Sequence, residues 1–124
     1  MHITINDTNK ILEIQEKFTE MFPYLRLEFF RKTNHRDGNI PKNALANLRT
    51  LGECRTVFNT QSSVTISPQM TVSELDKLFN DVYGLSTQIF RKSGNIWLVT
   101  TVTDKWTLEE QNKQGEIITS QMKK

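Results

Sequence analysis

Cysteine, histidine and long apolar runs are scarce in this chain of 124 residues. The single cysteine, Cys54, excludes an internal disulfide, so nothing in the composition requires an oxidising compartment. The N-terminus lacks the basic start and apolar stretch of a secretory signal, and no apolar run approaches the roughly eighteen residues that span a membrane. We therefore expect a cytoplasmic protein without a membrane segment.

Residues for metal binding and catalysis are equally few. Two histidines and one cysteine, without paired spacing, do not supply the four ligands of a structural zinc site. His35 and Asp37 could be read as an acid and base pair, but no orienting partner or pocket is indicated, and a solvated loop is the simpler interpretation. Cys54 lies in GECRTVF, which favours a small core residue over a nucleophile. We predict no catalytic residue, no metal, no cofactor and no enzyme activity.

Glycine-rich phosphate loops are also lacking, since GLSTQ and SGN do not match the GxGxxG or GK[ST] patterns. The net charge is only +2, whereas dedicated nucleic-acid binders usually carry a pronounced basic excess. Asp104, just before Trp106, is read as part of a turn that leads into a helix. Nucleotide binding of the familiar kinds is therefore not indicated.

What the chain does contain is an internal similarity at a distance of about sixty residues. Residues 3–33 and 64–93 align with one residue skipped before the second strand, and the matching positions are mainly apolar. They pair Ile5 with Ile66, Ile14 with Leu75, Phe18 with Phe79, Leu25 with Leu85, and Phe30-Arg31-Lys32 with Phe90-Arg91-Lys92. We predict a single domain, 1–124, with repeat units 2–33 and 63–102, a connecting segment 34–62, and a C-terminal helix and tail 104–124.

Each unit reads as strand, helix, strand. In the first, Asp7 or Thr8 is the expected N-cap, an apolar stripe at helical spacing follows, and Pro23 ends the helix before a strand with period-two alternation. In the second, Thr71 and Glu74 form a capping box, and Gly84 is placed to end the helix.

After the second unit, Gly94 marks a hairpin turn with a two-residue loop at Ser93 and Gly94, and 96–102 forms the returning strand. This register predicts that Phe90 faces Trp97 and that Ile89 faces Leu98. In the connecting segment, 44–51 has the spacing of a short helix that Gly52 ends. At the C-terminus, a capping box of Thr107 and Glu110 begins a short helix that Gly115 is expected to end.

These elements indicate an α+β fold. Duplicated β-α-β units favour a ferredoxin-like or related sheet with helices on one face, extended by a C-terminal hairpin strand and a short helix.

The run YGLSTQIFRKSGNIWLVTTVTDKWTLEEQN at 83–112 resembles a group of small uncharacterised bacterial proteins. These proteins share an FRKSGN-x-W segment followed by TD-x-WTLEEQN. The resemblance covers about the last third of the chain and implies an intact domain. It implies no activity, no catalytic residue and no cofactor.

The sheet face away from the helices is the candidate binding surface. It is predicted to combine aromatic rings with neighbouring cations, at Phe30, Arg31, Lys32, Phe90, Arg91, Lys92 and Trp97. Three interpretations stay open. The connecting segment, with apolar residues Leu45, Leu48, Leu51, Val57 and Phe58, or the C-terminal helix could cover the face; an unknown protein partner or a second copy could bind it; or it could stack single-stranded nucleic acid.

Our prediction is a non-enzymatic binding module that works through protein contacts, including self-association. Single-stranded nucleic-acid binding on the aromatic and basic face is the alternative. The small net charge and the lack of RNP-type motifs favour the first.

Overall fold

Four helices and five strands make up the part of the chain that the computed structural model describes, residues 2–31, 48–58 and 63–122. In chain order they are β1 (Ile3–Asn6), α1 (Ile11–Met21), β2 (Leu25–Arg31), α2 (Leu51–Cys54), β3 (Ser63–Ile66), α3 (Val72–Tyr83), β4 (Leu85–Ser93), β5 (Ile96–Val99) and α4 (Leu108–Gln121). The α+β class is confirmed. The predictions for Lys32, His35, Asp37 and Leu45 lie outside the described residues.

The strands form two sheets, a pair β1-β3 and a three-stranded sheet in the order β2-β4-β5. Every pair among these strands is antiparallel. The ferredoxin-like arrangement is therefore not confirmed, since that plan joins the strands of both units in one sheet, whereas here they lie in two. Each instead pairs with the strand to which the sequence alignment matched it, β1 with β3 and β2 with β4.

One apolar core joins both sheets to the helices. Ile5 and Ile66 come from the two-stranded sheet, Leu27 and Ile89 from the three-stranded sheet, and all are buried in the same cluster as the apolar stripes of α1 and α3. In the three-stranded sheet, Leu27 lies opposite Ile89, so both point to the same face. On that face Phe29 contacts Phe79 of α3, with ring centroids 5.0 Å apart.

The first helix begins later than predicted. Lys10 is its N-cap, and the backbone N–H of Lys10 donates to Oε1 of Glu13 at 2.7 Å. The prediction of Asp7 or Thr8 was wrong because the carboxylate of Asp7 is bound by Arg55, while Asn6 Oδ1 accepts from the backbone N–H of Thr8. The contacts of Asn6 and Asp7 stabilise the turn between β1 and α1.

The capping boxes at Thr71 and Thr107 are confirmed, and α3 ends at Gly84 as predicted. Two glycine predictions were wrong. Gly52 lies within α2, which begins after Thr50, and α4 continues through Gly115 to Gln121. Local composition suggested helix ends at both glycines, but the capping box of Thr50 and Glu53 begins α2 just before Gly52, and Gly115 lies inside α4 where that helix approaches Tyr24 and Arg91 closely.

The hairpin register also differs from the prediction. Gly94 has φ of 66°, as its place in the turn required, but the loop is Gly94 and Asn95, because Ser93 pairs with Ile96. Trp97 therefore lies opposite Lys92, and Phe90 lies opposite Val99. Because this slip moves each partner by two positions, the face on which Trp97 lies is unchanged.

Candidate functional site

The candidate site is the face of the three-stranded sheet that points away from the core. We call it the open face. Alternation along the strands and the observed register assign nine residues to it. They are Arg26, Glu28 and Phe30 of β2, Ser86, Gln88, Phe90 and Lys92 of β4, and Trp97 and Val99 of β5.

The middle of the open face is a shallow depression of about 230 Å³, lined by Arg26, Glu28, Phe90 and Trp97. Trp97 is 37% exposed and Phe90 is half-buried. Two apolar rings thus stand beside an ion pair, in which Arg26 Nε donates to Glu28 Oε1 at 3.1 Å. The depression is amphipathic and carries no excess of positive charge from this pair.

Three of the predicted surface residues, Phe90, Lys92 and Trp97, are brought together on the open face. Phe30 points to the same face but is only 4% exposed, so its ring is not available to a partner. Arg31 is the last residue of β2, and its side chain lies outside the described part of the chain, as does the whole of Lys32.

Arg91 lies on the opposite face, against α4. Its Nη1 donates to Oε1 of Gln111 at 2.9 Å, and its guanidinium carbon lies 5.6 Å from the ring centroid of Trp106. Gln111 is held in turn, because its Nε2 donates to the backbone oxygen of Thr103 at 2.7 Å. Arg91 therefore fastens α4 to the sheet. Its place beside Lys92 in the sequence gave no sign of this, because the partners come from a distant helix.

The described part of the connecting segment packs away from the depression. Leu51 is fully buried in the main core, while Leu48 and Phe58 are 69% and 76% exposed. Arg55 turns inward to α3, where Nη2 donates to the backbone oxygen of Val82 at 2.8 Å. Within residues 48–58, no apolar side chain lines the depression.

The sequence did not predict that every side chain of β5 would be exposed. Ile96 is 58% exposed, Leu98 41% and Val99 43%, in addition to Trp97. Because β5 is the last strand of its sheet among the described residues, its outer backbone groups have no partner strand there. Uninterrupted apolar residues on a sheet edge are unusual, since natural edges usually carry charges or are covered. The run IWLV after a tight turn was the available signal.

Side chains contact the outer edge of β2 and the stretch of β4 that lies beyond the end of β5. Gln15 of α1 donates from Nε2 to the backbone oxygen of Leu27 in β2 at 2.9 Å. Asp76 of α3 accepts a hydrogen bond from the backbone N–H of Thr87 in β4 at 2.8 Å. These contacts occupy backbone groups that a foreign strand would need. By contrast, all four side chains of β5 are exposed.

Among the residues that the structure describes, other candidates for a chemical site include Cys54, an open cavity and Asp104. In the described ranges, no three of histidine, cysteine, aspartate and glutamate come together as a metal site, and Cys54 is buried. A second, open cavity of about 460 Å³ is lined partly by His2, Lys17 and Glu20, without a hydrogen-bonded pair between them that would orient the imidazole. The backbone oxygen of Asp104 accepts from the N–H of Ser73, which agrees with a place in a turn.

Comparison with protein-family models, with curated proteins and with solved structures gives no match. The resemblance of 83–112 to a bacterial group therefore stays a prediction. No helix of the residues that the structure describes is long and apolar enough to cross a membrane. The functional proposal thus depends on the geometry of the open face and β5.

Proposed function

We propose that this protein is a non-enzymatic binding module that works through protein–protein contacts at the open face and the adjoining strand β5. The observation that carries the proposal is the run of four exposed apolar residues in β5, beside the half-buried ring of Phe90. Contiguous exposed apolar surface usually marks an interaction site, and tryptophan beside arginine is typical of interface hot spots. Arg26 and Trp97 supply that pair in one depression.

Single-stranded nucleic acid fits this surface less well. Stacking platforms combine exposed rings with free cations that hold phosphates. Here Glu28 lies in the depression and engages Arg26, which places a carboxylate where a phosphate would come, and Phe30 is buried. Lys92 is the remaining described cation on the open face. A protein contact needs no such excess of positive charge.

A photo-crosslinking experiment distinguishes the two. A photoreactive phenylalanine analogue replaces Lys92 on the open face or, as the matched control, Lys113 on the exposed side of α4. In cells that make the protein naturally, we expect protein adducts from position 92 and few from position 113. Adducts only with nucleic acid, or equal yields from both positions, would contradict the proposal.

We also infer that the chain arose by duplication and that the repeat extends into α2 and α4. The N-cap of α1 bridges that of α2, at Lys10 and Thr50, just as Thr71 bridges Thr107. The hydrogen bonds of the two bridges also correspond, since Leu51 N–H donates to Asn9 oxygen and Leu108 N–H donates to Met70 oxygen.

A cytoplasmic location remains part of the proposal and suits the single buried thiol.

A further inference from the structure

Within residues 2–31, 48–58 and 63–122, the outer backbone groups of β5 have no partner strand. In the β4-β5 ladder Lys92 lies opposite Trp97, but the N–H of Lys92 donates to the oxygen of Tyr24 on the β2 side. Lys92 and Trp97 therefore form a non-hydrogen-bonded pair, and the N–H and C=O of Trp97 point away from the sheet. Val99, two residues further on, has the same orientation. The free edge thus presents two donors and two acceptors.

These groups are self-complementary. If a second β5 approaches antiparallel with the two Leu98 residues opposite each other, Trp97 of each copy faces Val99 of the other. Both such pairs are of the hydrogen-bonded kind, so they satisfy the outward donors and acceptors of both residues. The side chains also match, because Trp97 and Val99 join one continuous apolar face. The two Leu98 side chains meet on the other face.

Charge does not oppose this pairing. The segment IWLVTTV at 96–102 carries no charged residue. The nearest cation on the open face, Lys92, lies one strand inward, so the two copies of it would stand roughly 14 Å apart, three strand spacings. That distance exceeds the Debye length of about 8 Å at physiological ionic strength.

The geometry also favours a closed pair over a filament. In this sheet β4 is central, and on the outer edge of β2 the backbone oxygen of Leu27 already accepts from Gln15, whereas no side chain of the described residues bonds the outer backbone groups of Trp97 and Val99 in β5. When a surface pairs with itself about a two-fold axis, the dimer buries it on both copies, so it cannot bind a third copy. Growth of this sheet beyond two copies would need pairing at β2, where Gln15 would have to be displaced from Leu27.

We propose that β5 pairs antiparallel with β5 of a second copy of this chain, centred on Leu98, to form a six-stranded sheet. This inference rests on the proposed function and names its partner. The open faces of the two copies then become one surface with Trp97 at its centre. Because β5 has only four residues, the contact is small, and we expect a weak dimer, micromolar or weaker.

Disulfide trapping tests the register. In a Cys54→Ala background, single cysteines are placed at Leu98, Ile96 and Val102. Two cysteines at 98 would have Cα atoms about 4.5 Å apart, within the range of a disulfide, whereas the two copies of position 96 would be roughly 13 Å or more apart. We expect at least about tenfold more cross-linked dimer from Leu98→Cys than from Ile96→Cys or Val102→Cys. A maximum at another position, or equal yields, overturns the Leu98 register.

Sedimentation of the unmodified chain tests the dimer without any substitution. We expect the sedimentation coefficient to rise with concentration, Val99→Lys to abolish the rise, and Val102→Lys, at a position that is 98% exposed and beyond the strand, to preserve it. A constant monomer value for the wild-type chain overturns the second-copy proposal. If position 92 still cross-links to another protein, the proposed function survives that outcome; if it yields no protein adduct, both fail.

Discussion

Arg55 shows how one residue can join distant parts of this chain. It is the one charged residue that is buried among the described residues, at 6% exposure. Its Nη1 donates to both carboxylate oxygens of Asp7, at 2.9 and 3.0 Å, and its guanidinium carbon lies 4.7 Å from the ring centroid of Tyr83. Only arginine offers this planar set of donors, so the site ties the turn after β1 to the end of α3.

Tyr83 provides a prediction about pH. Burial, and to a lesser extent the negative charge of Asp7, raise the pKa of the Tyr83 hydroxyl above 10, and the positive charge of Arg55 opposes this shift. The folded state therefore holds its proton more tightly than the unfolded state. The resulting stability is complete below about pH 10, the pKa of the unfolded chain, and is lost as the pH rises through the folded pKa.

We expect Tyr83→Phe to reduce the alkaline loss of stability, because the substituted ring has no proton to release. Urea unfolding midpoints at about pH 8 and about pH 11 measure the loss in each variant. Tyr24→Phe controls for removal of a tyrosine hydroxyl elsewhere. Equal alkaline losses for Tyr83→Phe and the wild-type chain would contradict the expectation.

At the scale of elements, α4 lies very close to the three-stranded sheet at Gly115. A Cβ atom at Gly115 would lie 2.9 Å from the Cβ of Tyr24 and 3.2 Å from the Cγ of Arg91. Further along, Thr119 Oγ1 accepts from the N–H of Gly94 at 3.2 Å, so the helix also supports the hairpin turn. The glycine is needed for contact, although it weakens the helix itself by about 1 kcal/mol relative to alanine.

We therefore expect Gly115→Ala to lower the free energy of unfolding by about 1–2 kcal/mol, because overpacking outweighs the gain in helix propensity. Ser120→Ala, at an exposed position of the same helix, should change it by less than about 0.5 kcal/mol. Urea denaturation measures both. A stabilised Gly115→Ala variant would show that α4 can move away from the sheet at little cost.

At the scale of the whole molecule, the shared core implies one cooperative unit. Val64 and Ile66 of the small sheet belong to the same buried cluster as Leu25 and Leu85 of the large one. Loss of either sheet would expose the apolar surface of the other. A single domain therefore predicts that both sheets unfold together.

We expect unfolding in urea to follow a single transition, with the same midpoint by tryptophan fluorescence as by far-ultraviolet circular dichroism. Both tryptophans, Trp97 and Trp106, follow β4 in the chain, whereas circular dichroism reports on all helices. Separate midpoints would mean that the halves unfold independently, and would contradict the single domain.

Local patterns were sufficient for much of the fold. The capping boxes at Thr71 and Thr107, the end of α3 at Gly84 and the turn at Gly94 depend on hydrogen bonds and backbone conformations within a few residues. Apolar periodicity also identified the buried stripes of α1 and α3. For the candidate site, alternation placed Phe90 and Trp97 on one face, despite the wrong hairpin register.

What the sequence determined, then, is the type and order of the elements, because propensity, caps and periodicity act over short distances. The tertiary structure decided which strands pair and that Gly115 lies inside a helix. It also decided that Arg91 lies on the core side of the sheet and that the side chains of β5 are exposed. Those outcomes depend on partners far away in the chain, such as Gln111 for Arg91 and Tyr24 for Gly115. A sheet edge exists only once strands have been arranged, so its exposure cannot be read from a run of apolar residues.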